Sequence, residues 1–317
     1  GILGMSIHRK FMSNSKVLVL GANGMLGKMV SLHLSSSKDL IVDVTSRDTT
    51  DFIVSNFKDN HHIFNASQNI QNELEEIIVD NHYKFIVNCI GVIKPKINEK
   101  DNISVSDTIL TNSYFPLSIQ KIASKNNIKY IQIGTDCVFS GFDGNYSEDS
   151  FKDADDLYGK SKIVGEIEGH NKFVLRSSII GPESGKGFSL MNWFLKNDNS
   201  EVSGYKNHLW NGVTTLNFAK VTEGIIKDNS LDFRTQHLVP RNSISKAQLL
   251  EQFQQYFMKD VKINHIDAAS VIDRTLKTNN ENLNSTLWKN AGYKEVPTVE
   301  ENIEELYNCE FTNRIMN

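Results

Sequence analysis

The run Gly21-Ala22-Asn23-Gly24-Met25-Leu26-Gly27 constrains this chain more than any other stretch. Apolar residues Val17-Leu18-Val19-Leu20 precede it and read as a strand, while Lys28 to Leu34 follow and suit a helix. A glycine pattern gains meaning in that context. The glycines allow a tight turn, let the backbone approach a pyrophosphate, and let helix and strand pack closely. The N–H groups and dipole of the helix start then favour negative charge. A turn of purely structural meaning would look the same, so the pattern alone does not define a function. A P-loop is disfavoured: Gly27-Lys28 lies one residue too far from Gly21, and Met29 stands where Ser or Thr would hold magnesium.

A second motif gives the first its weight. In Tyr158-Gly159-Lys160-Ser161-Lys162 a tyrosine and a lysine are four apart, and Ile163, Val164, Glu166 and Ile167 continue a helical pattern. Both side chains then share one face. A free phenol, with a pKa of about 10, is a poor acid or base at neutral pH. A neighbouring ammonium stabilises the phenolate. The tyrosine can then give a proton to a carbonyl oxygen as hydride reaches its carbon. By itself the pair also fits an ordinary surface helix. A third element is Lys129-Tyr130-Ile131-Gln132-Ile133-Gly134, a buried strand, with Thr135-Asp136 at its end. Ligands of open parallel sheets bind at such carboxyl ends. Thr135 can hold a substrate oxygen together with Tyr158; the plainer alternative is a turn capped by Asp136.

These three motifs, in this order, resemble the extended short-chain dehydrogenase/reductases. The finer resemblance is to dTDP-4-dehydrorhamnose reductases and their sugar-nucleotide relatives. It rests on Ile133-Gly134-Thr135-Asp136-Cys137-Val138-Phe139-Ser140-Gly141 and on Tyr158 through Glu166. Leu175-Arg176-Ser177-Ser178-Ile179-Ile180-Gly181, Asn211-Gly212-Val213-Thr214-Thr215-Leu216 and Asp273-Arg274-Thr275-Leu276 extend it from about Lys16 to about Tyr307. The resemblance implies an α/β fold: a Rossmann-like, doubly wound parallel sheet with a smaller C-terminal substrate-binding lobe. It also allows a homodimer.

The rest of the chain agrees. Its 317 residues exceed the usual size of a single core. Apolar content of 39% suits a globular protein, and a net charge of −4 argues against a nucleic-acid partner. No apolar run is long enough to span a membrane, and the N-terminus lacks a signal-peptide core, so a cytoplasmic location is expected. Three cysteines make no disulfide framework and no metal motif, and no metal site is expected. Cys89 and Cys137 read as small buried thiols, and His61-His62 as a loop edge.

Strands are expected at Val17–Leu20, Leu40–Val44, His62–Asn65, Phe85–Cys89, Tyr130–Ile133, Phe173–Ser178 and Gln236–Val239. Helices are expected at Gly24–Leu34, Ile70–Asn81, Leu110–Lys125, Tyr158–Glu168 and Thr215–Ile226. Strand–helix alternation implies right-handed crossovers and a sheet covered on both faces. Beyond Gly181 the pattern loosens, with loops at Ser184–Lys186 and Asn197–Asn207 around a short helix containing Trp193 and Phe194. Ser243 or Ser245 caps a later helix, and Asn282–Asn290 and Thr298–Tyr307 are helical candidates. The expected division is a leader over 1–15, a cofactor domain over 16–180, and a largely substrate-binding lobe over 181–317. Segments near 213–258 return to the first domain.

Cofactor type follows from the second strand. An acidic residue at its end would bond the ribose 2′-hydroxyl of NAD, whereas a nearby Arg suits the 2′-phosphate of NADP. Asp43 falls within Leu40–Val44, with Ser46 and Arg47 just beyond, so NADP(H) is favoured and NAD(H) stays open. By position in the resembled family, Gly21, Asn23, Gly24, Met25, Leu26 and Gly27 contact the cofactor. So do Asn65, Ala66, Cys89, Ile90, Gly91, Asn112, Lys162 and Ser178. Asp136, Val138, Phe139, Trp210, Asn211 and Arg274 face the sugar nucleotide. The implied reaction reduces a keto group on a nucleotide-linked 4-keto-6-deoxy sugar, with Tyr158 as acid, Lys162 as its electrostatic partner and Thr135 on the oxygen. Such products feed O-antigen, capsule or other deoxysugar glycans. An epimerase or dehydratase of the same fold and a non-catalytic NADP-binding regulatory subunit remain open.

Overall fold

The computed structural model describes residues 14–66, 70–185 and 187–317. The expectations for a leader and for a loop at Lys186 therefore lie largely or wholly outside the described residues. The first half alternates as expected. In chain order it contains β1 (Ser15–Leu20), α1 (Met25–Ser35), β2 (Leu40–Ser46), α2 (Asp51–Phe57), β3 (His61–Ile63) and α3 (Ile70–Val79). β4 (Phe85–Asn88), α4 (Asn102–Ile109), α5 (Phe115–Lys125), β5 (Lys129–Thr135), α6 (Leu157–Gly165) and β6 (Lys172–Ser177) follow.

The second half contains β7 (Ile179–Ile180), α7 (Leu190–Leu195), β8 (Glu201–Tyr205), β9 (Leu209–Trp210), β10 (Val213–Thr214) and α8 (Thr215–Lys227). It continues with β11 (Thr235–His237), β12 (Ile244–Ser245), α9 (Lys246–Phe257) and β13 (Lys262–Ile266). The helices α10 (Glu281–Asn290), α11 (Val299–Asn308) and α12 (Glu310–Met316) end the chain.

Seven strands form one parallel sheet in the order β11-β6-β5-β4-β1-β2-β3. Successive side chains of a strand point to opposite faces, and β1 shows the consequence. Val17 and Val19 enter one core with Met29 and Val30 of α1 and Phe218 of α8. Leu18 and Leu20 enter another with Leu74 of α3 and Ile119 of α5. All four β1 residues are fully buried, which is why the strand reads as a continuous apolar run rather than an alternation. The chain runs outward from β1 to β2 and β3, then returns to β4 on the other side. This reversal opens a crevice at the carboxyl ends of β1 and β4, the place where such sheets take ligands.

Three expectations are corrected and one helix is added. Asn197–Asn207 is not all loop: β8 lies within it and pairs in parallel with β13 along Lys262–Ile266. Residues alternate between exposed and buried along β8, but its Ser, Gly and Glu residues hide that period in the sequence. The helix expected from Leu110 starts earlier, as α4, and passes through a π-helical turn at Leu110–Tyr114 before α5. His61 and His62 belong to β3 itself, whose last residue is Ile63. α2, which the sequence reading omitted, is capped by the Thr50 side chain on Ile53 N–H.

Candidate active site

The glycine turn has the geometry its spacing implies. Gly21 has φ +88°, a conformation that disfavours a side chain, and a Cβ there would lie 2.6 Å from Ile90 Cγ1. At Gly27 a Cβ would stand 1.8 Å from the Gly21 carbonyl oxygen, so α1 can leave β1 this tightly only with glycine. Gly24, the N-cap of α1, offers no side-chain cap, which leaves the helix's first N–H groups for a ligand. Asn23 is tied to the loop after β2, accepting from Thr50 Oγ1 at 2.8 Å and donating to Asp48 O at 3.4 Å. Met25 is half-buried beside the turn and Leu26 is buried.

Around the crevice, Cys89, Ile90 and Gly91 follow β4, and Asn112 clamps that loop. Its Oδ1 accepts from Val92 N–H at 2.8 Å and its Nδ2 donates to Val92 O at 3.0 Å. The same Nδ2 reaches Ser161 Oγ of α6 at 3.2 Å. Asn112 occupies the π-helical turn, a distortion frequent at functional sites. Asn65 and Ala66 lie beyond the end of β3, half-buried and buried respectively.

Asp43 lies within β2, three residues before its end at Ser46, and accepts from Tyr83 Oη at 2.5 Å. It is thus turned away from the strand end. Ser46 is buried, and its hydroxyl is engaged with Asp48 O and with His61 Nε2, each at 2.6 Å. Ser46, expected beside the cofactor, thus braces the loop that carries Arg47. Arg47 itself is exposed.

Tyr158 and Lys162 share one face of α6, whose N-cap Asp156 accepts from Gly159 N–H at 2.9 Å. The Lys162 ammonium is buried and points at Gly91, where a Cβ would lie 3.8 Å from Nζ. Burial pushes its pKa down, and the negative charge of Glu166 opposes that. Burial likewise pushes the Tyr158 phenol up, opposed by the Thr135 hydroxyl within bonding reach. Tyr158 therefore keeps its proton at neutral pH, the state required of an acid. Thr135 Oγ1 accepts from Cys137 N–H at 3.1 Å, which turns the chain sharply after β5.

Next to this cluster lies a cavity of about 290 Å³, whose lining includes Asp136, Ser178, Trp210, Asn211, Lys246 and Arg274. Burial raises the Asp136 pKa, and the cations Arg274 and Lys246 oppose that rise. Ser178 accepts from Trp210 Nε1 at 2.8 Å, which places it on the cavity side. The Asn211 amide is committed to the backbone of Leu276, at 2.7 Å and 3.1 Å, and so braces the wall. Val138 and Phe139 are corrected outright. Both are fully buried, and Phe139 stacks on Tyr146 at 4.4 Å, so their side chains are core rather than ligand contacts.

Sequence reasoning missed Lys246, Glu166 and Arg176, and it read Lys94, with Lys96 and Lys100, as a solvated basic loop that could attract a diphosphate. Lys94 pairs with Asp156 at 3.0 Å and stands 5.9 Å from the Tyr158 ring centre. Only the four-residue step from Lys162 to Glu166 was visible as a signal.

A doubly wound parallel sheet, a glycine turn at its switch point and a Tyr-x-x-x-Lys helix beside a strand-end threonine define an extended short-chain dehydrogenase/reductase. Within that class the chain belongs to the family described as RmlD substrate binding domain, whose model matches residues 15–310. No curated protein matched the chain by sequence. Among solved structures it is similar to a dTDP-4-dehydrorhamnose reductase from Bacillus anthracis in complex with NADP. The TM-score is 0.71 at 18% identity, covering 93% of this chain and 99% of that one. A dTDP-glucose 4,6-dehydratase from the same organism, in complex with NAD, gives 0.69 at 18% identity, covering 95% and 99%. A UDP-glucuronic acid 4-epimerase from Bacillus cereus, with UDP-glucuronic acid and NAD, gives 0.70 at 14% identity, covering 94% and 99%. At these identities the likeness establishes a shared fold.

Proposed function

We propose that this protein reduces a keto group on a nucleotide-linked 4-keto-6-deoxy sugar, with NADPH preferred over NADH. The reading rests chiefly on one observation: a buried lysine, Lys162, without an ion-pair partner among the described residues, one turn from Tyr158, whose phenol is within bonding reach of the Thr135 hydroxyl. Burying a lysine amine with no paired carboxylate is costly unless a ligand or a reaction uses it.

The residues present suit a dinucleotide. Gly24 and the start of α1 offer N–H groups to a pyrophosphate, Arg47 offers charge to a 2′-phosphate, and Lys162 offers donors to a ribose. When bound, the nicotinamide supplies the hydride. Tyr158 gives its proton to the carbonyl oxygen, and the carbonyl becomes an alcohol. Lys162 stabilises the phenolate left behind, and Thr135 orients the oxygen by hydrogen bonding. Arg274 and Lys246 carry positive charge into the adjoining cavity, where an anionic diphosphate is attracted.

The test is oxidation of NADPH and NADH, followed by absorbance, with a panel of dTDP- and UDP-linked 4-keto-6-deoxy sugars. Oxidation that requires both a sugar and Tyr158 is the expected result. Tight cofactor binding with no net oxidation, but with epimerised sugar, would replace the reductase by an epimerase. Binding with neither outcome across the panel would favour a regulatory subunit.

A further inference from the structure

Glu166 closes α6 one turn after Lys162 and is 3% exposed. Its two carboxylate oxygens have different tasks. Oε1 accepts from Arg176 Nε at 3.1 Å, whereas Oε2 accepts from the Thr135 backbone N–H at 3.3 Å. Gly134 makes room for this arrangement, since a Cβ there would lie 2.7 Å from Glu166 Oε1 and 3.1 Å from Arg176 Cα. Arg176 is fully buried and pairs with no other carboxylate among the described residues. Burial pushes the Glu166 carboxyl up, and the positive charges of Arg176 and Lys162 oppose that; because a guanidinium does not deprotonate in proteins, the pair with Arg176 favours the carboxylate. Arg176 thus draws the carboxylate to itself and leaves the Lys162 ammonium nearby but unpaired.

We propose that Glu166 is a positioning residue: held by Arg176, it fixes the Thr135 peptide and keeps a negative charge one helical turn from Lys162 without pairing with it. The inference rests on the roles of Tyr158 and Lys162 given above. The groups facing Glu166 are Arg176 and Lys172 from β6, Tyr130 from β5, Lys152 from the loop before α6, and Lys162 and Tyr158 on its own helix. Tyr158 in turn faces Cys137, Asp136, Thr135 and Lys94. Removing the Glu166 charge destabilises ammonium at Lys162 and favours phenolate at Tyr158. Both changes move titration to lower pH.

The experiment follows the Lys162 Cε resonance in lysine-labelled protein, assigned with Lys162→Met, alongside the pH profile of kcat. Glu166→Gln keeps an oxygen for Thr135 but loses the charge. The Lys162 midpoint and the basic limb of kcat are expected to fall together by on the order of one pH unit. Glu166→Asp keeps the charge, and its Lys162 midpoint should stay near wild type even where kcat drops. If Glu166→Gln leaves the buried Arg176 charge unpaired and the chain unfolded, Glu166→Gln with Arg176→Met removes both charges and should give an acid shift of the same sign but smaller, since the opposing Arg176 charge goes too. A loss of kcat with both midpoints unmoved would reduce Glu166 to a structural residue and overturn the inference. The Lys162 midpoint is read without turnover, so failure of the reductase reading and failure of this one are separable.

Discussion

Arg176 Nη1 lies 3.0 Å from His237 Nε2, with both side chains fully buried beneath the carboxyl end of the sheet. A guanidinium can only donate, so Nε2 accepts and the imidazole proton sits on Nδ1. Nδ1 faces Lys277 O at 2.8 Å and Tyr146 O at 3.1 Å, which fits a donor. Burial, then the Arg176 charge, lowers the His237 pKa from 6.5 to about 4. The unfolded chain binds this proton more readily than the folded one. The resulting stability is full above pH about 6.5 and is lost as pH falls towards about 4. The loss is at most about 3 kcal/mol. Urea unfolding at several pH values across that window should show it, and His237→Gln should flatten the slope. An unchanged slope in the variant would assign the acid sensitivity to other groups.

Replacing Tyr158 by Phe removes the proton donor and little else. The expected loss in kcat is about 10²- to 10⁴-fold, with cofactor affinity close to wild type. Steady-state kinetics and fluorescence titration with NADPH separate the two effects. An equal loss in affinity would show that Tyr158 chiefly binds rather than donates.

Arg47 offers a charge beyond β2, while Ser46 is bound up in the loop beneath it. Arg47→Ala is expected to raise the KM for NADPH roughly tenfold or more, as for a charged hydrogen bond worth about 1.5–3 kcal/mol. The KM for NADH should change little. A parallel rise for both cofactors would remove Arg47 from the 2′-phosphate.

At Gly27 a methyl group would stand 1.8 Å from the Gly21 carbonyl oxygen. Gly27→Ala must therefore separate α1 from the turn. A stability loss of at least about 1–3 kcal/mol is expected from the forced backbone shift, together with loss of dinucleotide binding. Denaturant unfolding and binding measurements on the same sample check both. A variant of wild-type stability and affinity would mean that the turn opens freely.

Lys246→Met and Arg274→Met each remove a cation from the cavity wall that contains Asp136. Each should raise the KM for the sugar nucleotide about tenfold with the KM for NADPH unchanged, since the cavity adjoins the cofactor crevice rather than filling it. A change in both constants would point instead to a collapse of the Asp136 surroundings.

Local chemistry made the scaffold legible. The β1 run, the glycine turn and the step from Tyr158 to Lys162 each combine neighbours within a few residues, and such patterns survive in sequence. β8 was lost because its pairing with β13 lies some sixty residues away and its own residues carry little apolar contrast. Trp210 and Arg274 drew attention because they sit beside residues that resemble a known family, and both line the cavity. Lys246, which lines it too, did not, because nothing near it in the chain marks it.

The amino-acid order by itself determined the parallel alternation and the class of site, since these show in local apolar runs and in spacings of three residues between glycines and four between Tyr158 and Lys162. Tertiary structure alone decided which groups are free to act. Phe139 was withdrawn into the core, and Ser46 and Asn211 were committed to neighbouring backbone. The same folding brought Arg176 to Glu166 across ten positions and His237 to Arg176 across sixty-one. The physical reason is that burial and hydrogen-bond occupancy are properties of the whole packed chain. A buried charge is held by whichever opposite charge folding brings to it, and no local spacing records that choice.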